Sequence, residues 1–196
     1  LMTLPDRELR AGLAEVIKMA CILDKGLFQE IEKNKEGILQ RKPGVLLPLI
    51  KRSIELKRNI VEKDEQEIGL RQILNFGHTV GHALEKASNY TIKHGFAVSM
   101  GMAAESFLAV HRGELQEDDA KKIISLLKDF NLPVKIPKGI ELNSLLGYLK
   151  HDKKNRNQEI RFVVLEKIGQ TKQEKGHYSF PISEKDLTRA LQMNHD

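Results

Sequence analysis

The chain of 196 residues is 40% hydrophobic, enough to enclose a core as one domain, and its 32 basic and 27 acidic residues leave a formal net charge of +5. The two signs are interspersed, with no long single-sign block and no aromatic interleaving, which argues for a mixed solvated surface and against a nucleic-acid partner; the small positive excess suits a multiply anionic small molecule. No apolar run approaches the ~20 residues of a membrane span and no signal peptide is visible, while a single cysteine, Cys21, excludes an internal disulfide and a thiolate metal cage; these features point to the cytoplasm and to no membrane partner.

Leu1, Met2, Thr3, Leu4 and Pro5 read as the end of a connection entering a helix, so the chain is expected to be a fragment. Asp6 is placed to cap a helix with an apolar face of Leu13, Val16, Ile17, Ala20 and Leu23. On it Glu15 and Lys18 lie three apart, the spacing of an ordinary surface ion pair. Residues 28–38 continue as a helix with a charged face, and Lys42, Pro43 and Gly44 form a turn. A long helix follows over 45–64, with Leu46, Leu49, Ile50, Ile54 and Val61 at apolar positions and Pro48 tolerated in its first turn. Lys57 sits there among Lys51, Arg52, Arg58 and Lys63, and by spacing alone is a solvated lysine.

Residues 71–85 are predicted as one helix. At about 100° per residue Arg71, Asn75, His78 and His82 share one polar stripe, while Ile73, Leu74, Phe76, Val80, Ala83 and Leu84 occupy other faces. A stripe of Arg, Asn, His and His differs from the Lys and Glu of a solvated face and suggests the wall of a cleft. Gly77 and Gly81 each cost about 1 kcal/mol in a helix interior relative to alanine, so a close neighbour is expected at both. His94 and Gly95 precede a helix apolar on most sides, expected at the centre of a bundle and ending at Gly113. An amphipathic helix over 117–130 and a shorter one over 142–149 follow, the latter delivering a cluster of His151, Asp152, Lys153 and Lys154. Residues 160–165 have strand character and pair with 178–182 as a small hairpin, before a last helix capped by Ser183. The expected class is mainly α, a helical bundle with one small β-hairpin, forming a single domain over 1–196.

Histidine nitrogens and a carboxylate oxygen are a zinc-type ligand set, and a catalytic site takes three of them. His78 and His82, four apart, can reach one metal, but a bare H-x-x-x-H is a weak signal; Glu15 and His94 extend the candidate set, and spacing does not choose among them.

At these positions the chain resembles the C-terminal domain of 3-dehydroquinate synthases. The likeness is carried by G-L-A-E-V-I-K at 12–18, D-E-x-E-x-G-L-R at 64–71, L-N-F-G-H-T-V-G-H-A-L-E at 74–85, H-G-x-A-V at 94–98 and D-K-K at 152–154. The resemblance implies Glu15, His78 and His94 as ligands of zinc or cobalt, with His82 bonding the substrate or a reaction partner instead. It also implies Lys18, Lys57, Arg71, Asn75 and one of Lys153 or Lys154 around 3-deoxy-arabino-heptulosonate 7-phosphate, against the bland readings of Lys18 and Lys57. The implied reaction is an NAD-dependent transient oxidation, phosphate elimination, re-reduction and aldol closure to 3-dehydroquinate, on the shikimate route to the aromatic amino acids.

An N-terminal NAD-binding domain of Rossmann-like type is implied and has no glycine-rich fingerprint in these residues, so the isolated chain is expected to be inactive; Leu1, Met2 and Thr3 would end its cofactor-contacting segment. A homodimer is implied as well. Phe96 stands where the family pattern has a glutamate in H-G-E-A-V, which removes a carboxylate that could orient the site. Three other readings compete: another sugar-phosphate cyclase, a metal-dependent alcohol dehydrogenase of the wider superfamily, and a non-catalytic helical module.

Overall fold

The structure is a computed structural model that describes residues 3–155 and 159–195, with backbone alone for 151–155. Its helices are α1 (Asp6–Leu23), α2 (Lys25–Lys33), α3 (Lys35–Leu39), α4 (Pro43–Lys63), α5 (His78–Ala87), α6 (His94–His111), α7 (Glu117–Asp129), α8 (Leu142–Asn155) and α9 (Glu184–Met193), with a 3-10 segment at Leu70–Asn75. The mainly α class holds.

Helix α6 is the axis of the bundle, packed against α1, α5, α7 and α9. Its apolar residues divide between two cores. Val98, Met102 and Ala109 face a cluster built with α1, α2, α4 and α7, whereas Ala97, Met100, Ala104 and Leu108 face one built with α5, α8 and α9. A helix buried from two sides has no solvent face to keep polar, which is why its sequence is apolar nearly all round. Among the described residues, no helix is long and apolar enough to cross a membrane.

Several local expectations need correction. Asp6 does not cap α1: Pro5 occupies the cap position without a side-chain bond, and Asp6 pairs with Arg41 instead. The helix expected over 28–38 is two, broken at Asn34, and Asp24 caps the first by accepting the Leu27 N–H at 3.0 Å. Because α4 begins at Pro43, Pro48 lies inside the helix rather than in its first turn. The single hairpin becomes two small antiparallel ladders among the described residues. β1 (Arg161–Phe162) pairs with β4 (Phe180–Pro181) as expected, and nested between them β2 (Leu165–Lys167) pairs with β3 (Gln170–Thr171) around Gly169. Gly169 has φ +85° and donates its N–H to the Cys21 carbonyl at 2.8 Å, so the turn sits directly on the end of α1. Ser183 caps α9 by accepting the Asp186 N–H, as its spacing predicts.

The largest correction concerns residues 71–85, which are not one helix. The 3-10 segment ends at Asn75, Gly77 takes a left-handed φ of +77°, and α5 starts afresh at His78. Arg71 and Asn75 therefore lie on a different element from His78 and His82, and the common stripe does not exist. The close approach expected at both glycines does. A Cβ on Gly77 would lie 2.8 Å from the Val98 carbonyl oxygen, and one on Gly81 3.2 Å from the Val98 nitrogen, so α5 rests on the backbone of α6.

Candidate metal centre and basic cleft

Three elements that meet at one end of the bundle each supply one side chain. α1 presents Glu15, the first turn of α5 presents His78, and the first residue of α6 is His94. Both imidazole Nε2 atoms lie 3.5 Å from Glu15 Oε1. The three donor atoms fall within 4.8 Å of one another. With metal–ligand bonds of about 2.0–2.2 Å, the ligand atoms of a tetrahedral zinc stand about 3.4 Å apart. Glu15 Oε1 is moreover buried without a hydrogen-bond partner, a costly state for a carboxylate oxygen unless a cation meets it. The residues present thus fit a divalent metal.

The neighbouring contacts prepare the donors. His78 Nδ1 lies 3.2 Å from the Phe76 carbonyl and His94 Nδ1 lies 3.2 Å from Glu85 Oε2. A carbonyl or carboxylate acceptor favours a proton on Nδ1, and each Nε2, the nitrogen a metal would take, faces Glu15. Burial, and then the Lys18 charge, push His78 down to about 4, so this imidazole is neutral around pH 7. Burial pushes the Glu15 carboxyl up, but Lys18, His78 and His94 outweigh it and hold its pKa below the ordinary value.

Lys18 is not the half of a surface pair that its spacing suggests. It is 4% exposed, its Nζ lies 2.8 Å from Glu15 Oε2, and burial lowers its pKa. Glu15 thereby uses one oxygen for Lys18 and offers the other to the histidines.

Beside this triad opens a cleft of about 440 Å³. Its walls are Lys18 and Met19 of α1, Ser53 and Lys57 of α4, Glu67, Arg71, Leu74 and Asn75 of the connecting segment, and the triad itself. Asp64 builds that segment, accepting the backbone N–H groups of Ile68, Gly69 and Arg71 at 2.8–3.1 Å. Those bonds, Arg71 first, hold its carboxyl below the ordinary carboxylate value. The Arg71 guanidinium is anchored on the Glu65 carbonyl at 2.7 Å, and Asn75 donates to Glu67 Oε1 at 2.7 Å. Glu67 itself has φ +59°, an uncommon conformation for a non-glycine residue, which strain-prone binding sites often contain.

The structure therefore brings Glu15, His78 and His94 together and puts Lys18, Lys57, Arg71 and Asn75 around the same cleft. His82 lies apart from the cleft wall and is exposed, its ring centroid 5.3 Å from that of His78 and 5.8 Å from that of His94. His82, Glu85 and His94 also bring donor atoms within 4.8 Å, so His94 is shared by two candidate sets; the Glu15 set is the more enclosed and holds the unpaired oxygen. Thr3 is an exposed turn residue. Leu1, Met2 and the side chains of Lys153 and Lys154 lie outside the described residues. Phe96 lies beneath the Arg7 guanidinium, 5.5 Å from its ring centroid, and the carboxylate that orients His94 here is Glu85.

Sequence reasoning missed Ser53, Glu67, Glu85 and Glu105. Only Glu67 and Glu85 carry a signal, since both fall inside the motifs that the resemblance rests on. Glu105 is 2% exposed on α6 and accepts the Gly77 N–H at 2.8 Å. Burial pushes its carboxyl well above the ordinary value, with the Gly77 and Val80 N–H groups drawing it part of the way back.

The helical bundle that carries this triad has the fold of the matching half of sugar-phosphate cyclases. The 2-epi-5-epi-valiolone synthase of Streptomyces hygroscopicus, solved with NAD+ and Zn2+ bound, superposes with a TM-score of 0.85 at 26% identity over 97% of this chain and 52% of that one. A 2-deoxy-scyllo-inosose synthase, 24% identical, shares the fold with a TM-score of 0.85 over 99% of this chain and 54% of its own. Sequence narrows the class. The profile of the 3-dehydroquinate synthase C-terminal domain matches residues 12–155, and the chain belongs to that family. The 3-dehydroquinate synthase of Thermodesulfovibrio yellowstonii is 42% identical over 192 residues, covering 97% of this chain and 52% of that protein. That of Hydrogenovibrio crunogenus is 45% identical over 171 residues, covering 87% and 48%. The chain thus spans about half the length of the curated relatives it matches.

Proposed function

We propose that this chain is the metal- and substrate-binding part of a 3-dehydroquinate synthase, a cytoplasmic, homodimeric lyase of the shikimate pathway that converts 3-deoxy-arabino-heptulosonate 7-phosphate to 3-dehydroquinate with loss of phosphate. The observation that carries the reading is the buried, unpartnered Glu15 Oε1, faced by two imidazole nitrogens at 3.5 Å on the edge of a cationic cleft. Glu15, His78 and His94 would hold zinc or cobalt. When bound, the metal would polarise a substrate hydroxyl and ease loss of its proton, while NAD would accept and later return the hydride of the carbon that bears it.

The chain's own residues bind and orient. Lys18, Lys57 and Arg71 supply separated cations for a ligand carrying both carboxylate and phosphate, and the bond from the Arg71 guanidinium to the Glu65 carbonyl limits how far that fork can swing. Asn75, oriented by Glu67, offers a directed amide for a ring hydroxyl. His82, beside the triad, is read as a donor to the substrate, and the family resemblance assigns Lys153 or Lys154 to the substrate phosphate. With the groups set in advance, positioning carries much of the catalysis. NAD is assigned to a nucleotide-binding region outside these 196 residues, and the family resemblance assigns Leu1, Met2 and Thr3 to the cofactor-contacting segment; the doubled length of the relatives supports a further region.

Calorimetric zinc titration of the chain beside Glu15→Ala, His78→Ala and His94→Ala tests the metal centre: one equivalent is expected, lost in each variant. Zinc bound equally by all four proteins would discard the ligand set. Phosphate release by the full-length protein from the heptulosonate phosphate, and none from other sugar phosphates, separates the reading from the valiolone and inosose cyclases that share the fold.

A further inference from the structure

We infer that Glu105 is a positioning residue for the metal centre, acting on His78 through the single peptide unit between Phe76 and Gly77. The inference rests on the metal reading above. Glu105 lies three turns along α6 from His94, is 2% exposed and is not among the residues that line the cleft. Its Oε2 accepts the Gly77 N–H at 2.8 Å. The carbonyl of that same peptide unit belongs to Phe76, and it faces His78 Nδ1 at 3.2 Å. A peptide unit is planar and stiff, so its N–H and C=O turn together. One end is hooked by a carboxyl from another helix, and the other end sets the tautomer and tilt of an imidazole whose Nε2 points at Glu15.

The surroundings show why the hook is needed. Gly77 precedes the first residue of α5, and with no side chain it offers no oxygen to cap the helix. It also holds φ +77°, a conformation that glycine reaches without steric penalty, and it has no side chain to fix the preceding peptide. Packing restrains the following peptide. A Cβ on Gly101 would lie 1.9 Å from the Gly77 carbonyl oxygen, which shows how closely that oxygen lies on α6. One turn further along α6, Glu105 fixes the preceding peptide by its N–H. Gly101 and Glu105 therefore grip the two peptides of the turn that aims His78. The arrangement is a carboxylate–histidine–metal relay with a peptide unit inserted, and loss of such an orienting group costs about 10–100-fold in metal affinity.

The test is zinc affinity by competition with a chromophoric chelator, together with the Co2+ absorption spectrum, on the chain and on three variants that keep native helix content by circular dichroism. Glu105→Leu removes the acceptor and is expected to weaken zinc about 10–100-fold and to alter the Co2+ bands. Glu105→Gln keeps an acceptor oxygen and is expected to stay close to the parent. Ser106→Ala deletes a buried bond to the Met102 carbonyl in the same helix and should leave zinc unchanged. A purely structural role would lower the melting temperature of Glu105→Leu without moving affinity or spectrum, and that result overturns the inference. So does a Gln variant as weak as Leu. If Glu105→Leu does not fold, Glu105→Asp decides, since withdrawal of the acceptor by one methylene should weaken zinc and an unchanged affinity refutes the relay. A parent chain that ignores zinc would remove the metal reading and this inference with it, an outcome distinct from parental affinity in Glu105→Leu.

Discussion

Replacing Gly95 by alanine is expected to pull the proposed metal ligands apart without touching any of them. A Cβ at this position would lie 2.1 Å from the Ala11 carbonyl oxygen and 2.6 Å from its carbonyl carbon, both backbone atoms of α1, so no rotamer change relieves the clash. α6 must retreat by about 1 Å before carbon and oxygen reach a normal contact, and overpacking of this kind costs about 1–3 kcal/mol. The retreat acts where it matters. Gly95 follows His94, and Ala11 lies one turn before Glu15, so the displacement passes into the 3.5 Å separation of His94 Nε2 and Glu15 Oε1. Metal–ligand distances tolerate only about 0.2 Å, and the expected result is a loss of zinc affinity of at least about 10-fold in a protein that still folds. The assay is competitive zinc titration beside thermal melts. Gly12→Ala is the control, because nothing lies within 4 Å of its added Cβ; it should leave zinc binding alone. Parental zinc affinity in folded Gly95→Ala would refute the argument that the crossing of α1 and α6 sets the ligand spacing.

Glu85→Ala deprives His94 Nδ1 of its acceptor and is expected to weaken zinc by about 10–100-fold in the same titration, with the fold intact. Lys18→Met leaves the Glu15 carboxylate without its 2.8 Å partner; since that side chain is 35% exposed, the metal-free chain should lose about 1–2 kcal/mol, less than for a fully buried pair. Urea melts with and without zinc check it: the bound cation replaces the missing charge, so the deficit should shrink with zinc, and an equal deficit in both would count against the charge argument. The metal-free chain should also soften in mild acid. His78 titrates at about 4 when folded against 6.5 ordinarily, so the unfolded chain binds more protons between those values. Stability is full above about pH 6.5 and is lost as pH falls toward 4, by at most about 3 kcal/mol. The His78→Ala chain should lose that slope in urea melts taken across the window.

Most of the fold was legible because helix and cap signals are local. The apolar residues of 94–111, the stop at Gly113 and the Ser183 cap are each decided within a few residues of chain, and the structure follows them. The break at Gly77 was not. Over 71–85 the apolar spacing is compatible with one helix, and only the demand that Gly77 settle on the Val98 carbonyl and Gly101 forces a left-handed residue there. The same break separates Arg71 and Asn75 from the histidines, which a helical projection had placed together.

The sequence by itself determined the class, the family and the residue types at the cleft, since the motifs around Glu15, Arg71, His78 and His94 are contiguous stretches readable without coordinates. What it could not determine was which of those side chains meet. Glu15 and His78 lie 63 residues apart, and their contact depends on how α1, α5 and α6 cross. Burial likewise belongs to the tertiary structure. Three-residue spacing makes Lys18 look like a solvated partner, but packing of α1 beside α4 and α6 encloses it. Glu105 stands on an apolar helix with no local pattern to mark it, and its role rests on a bond across 28 residues to a backbone N–H that no side-chain sequence records.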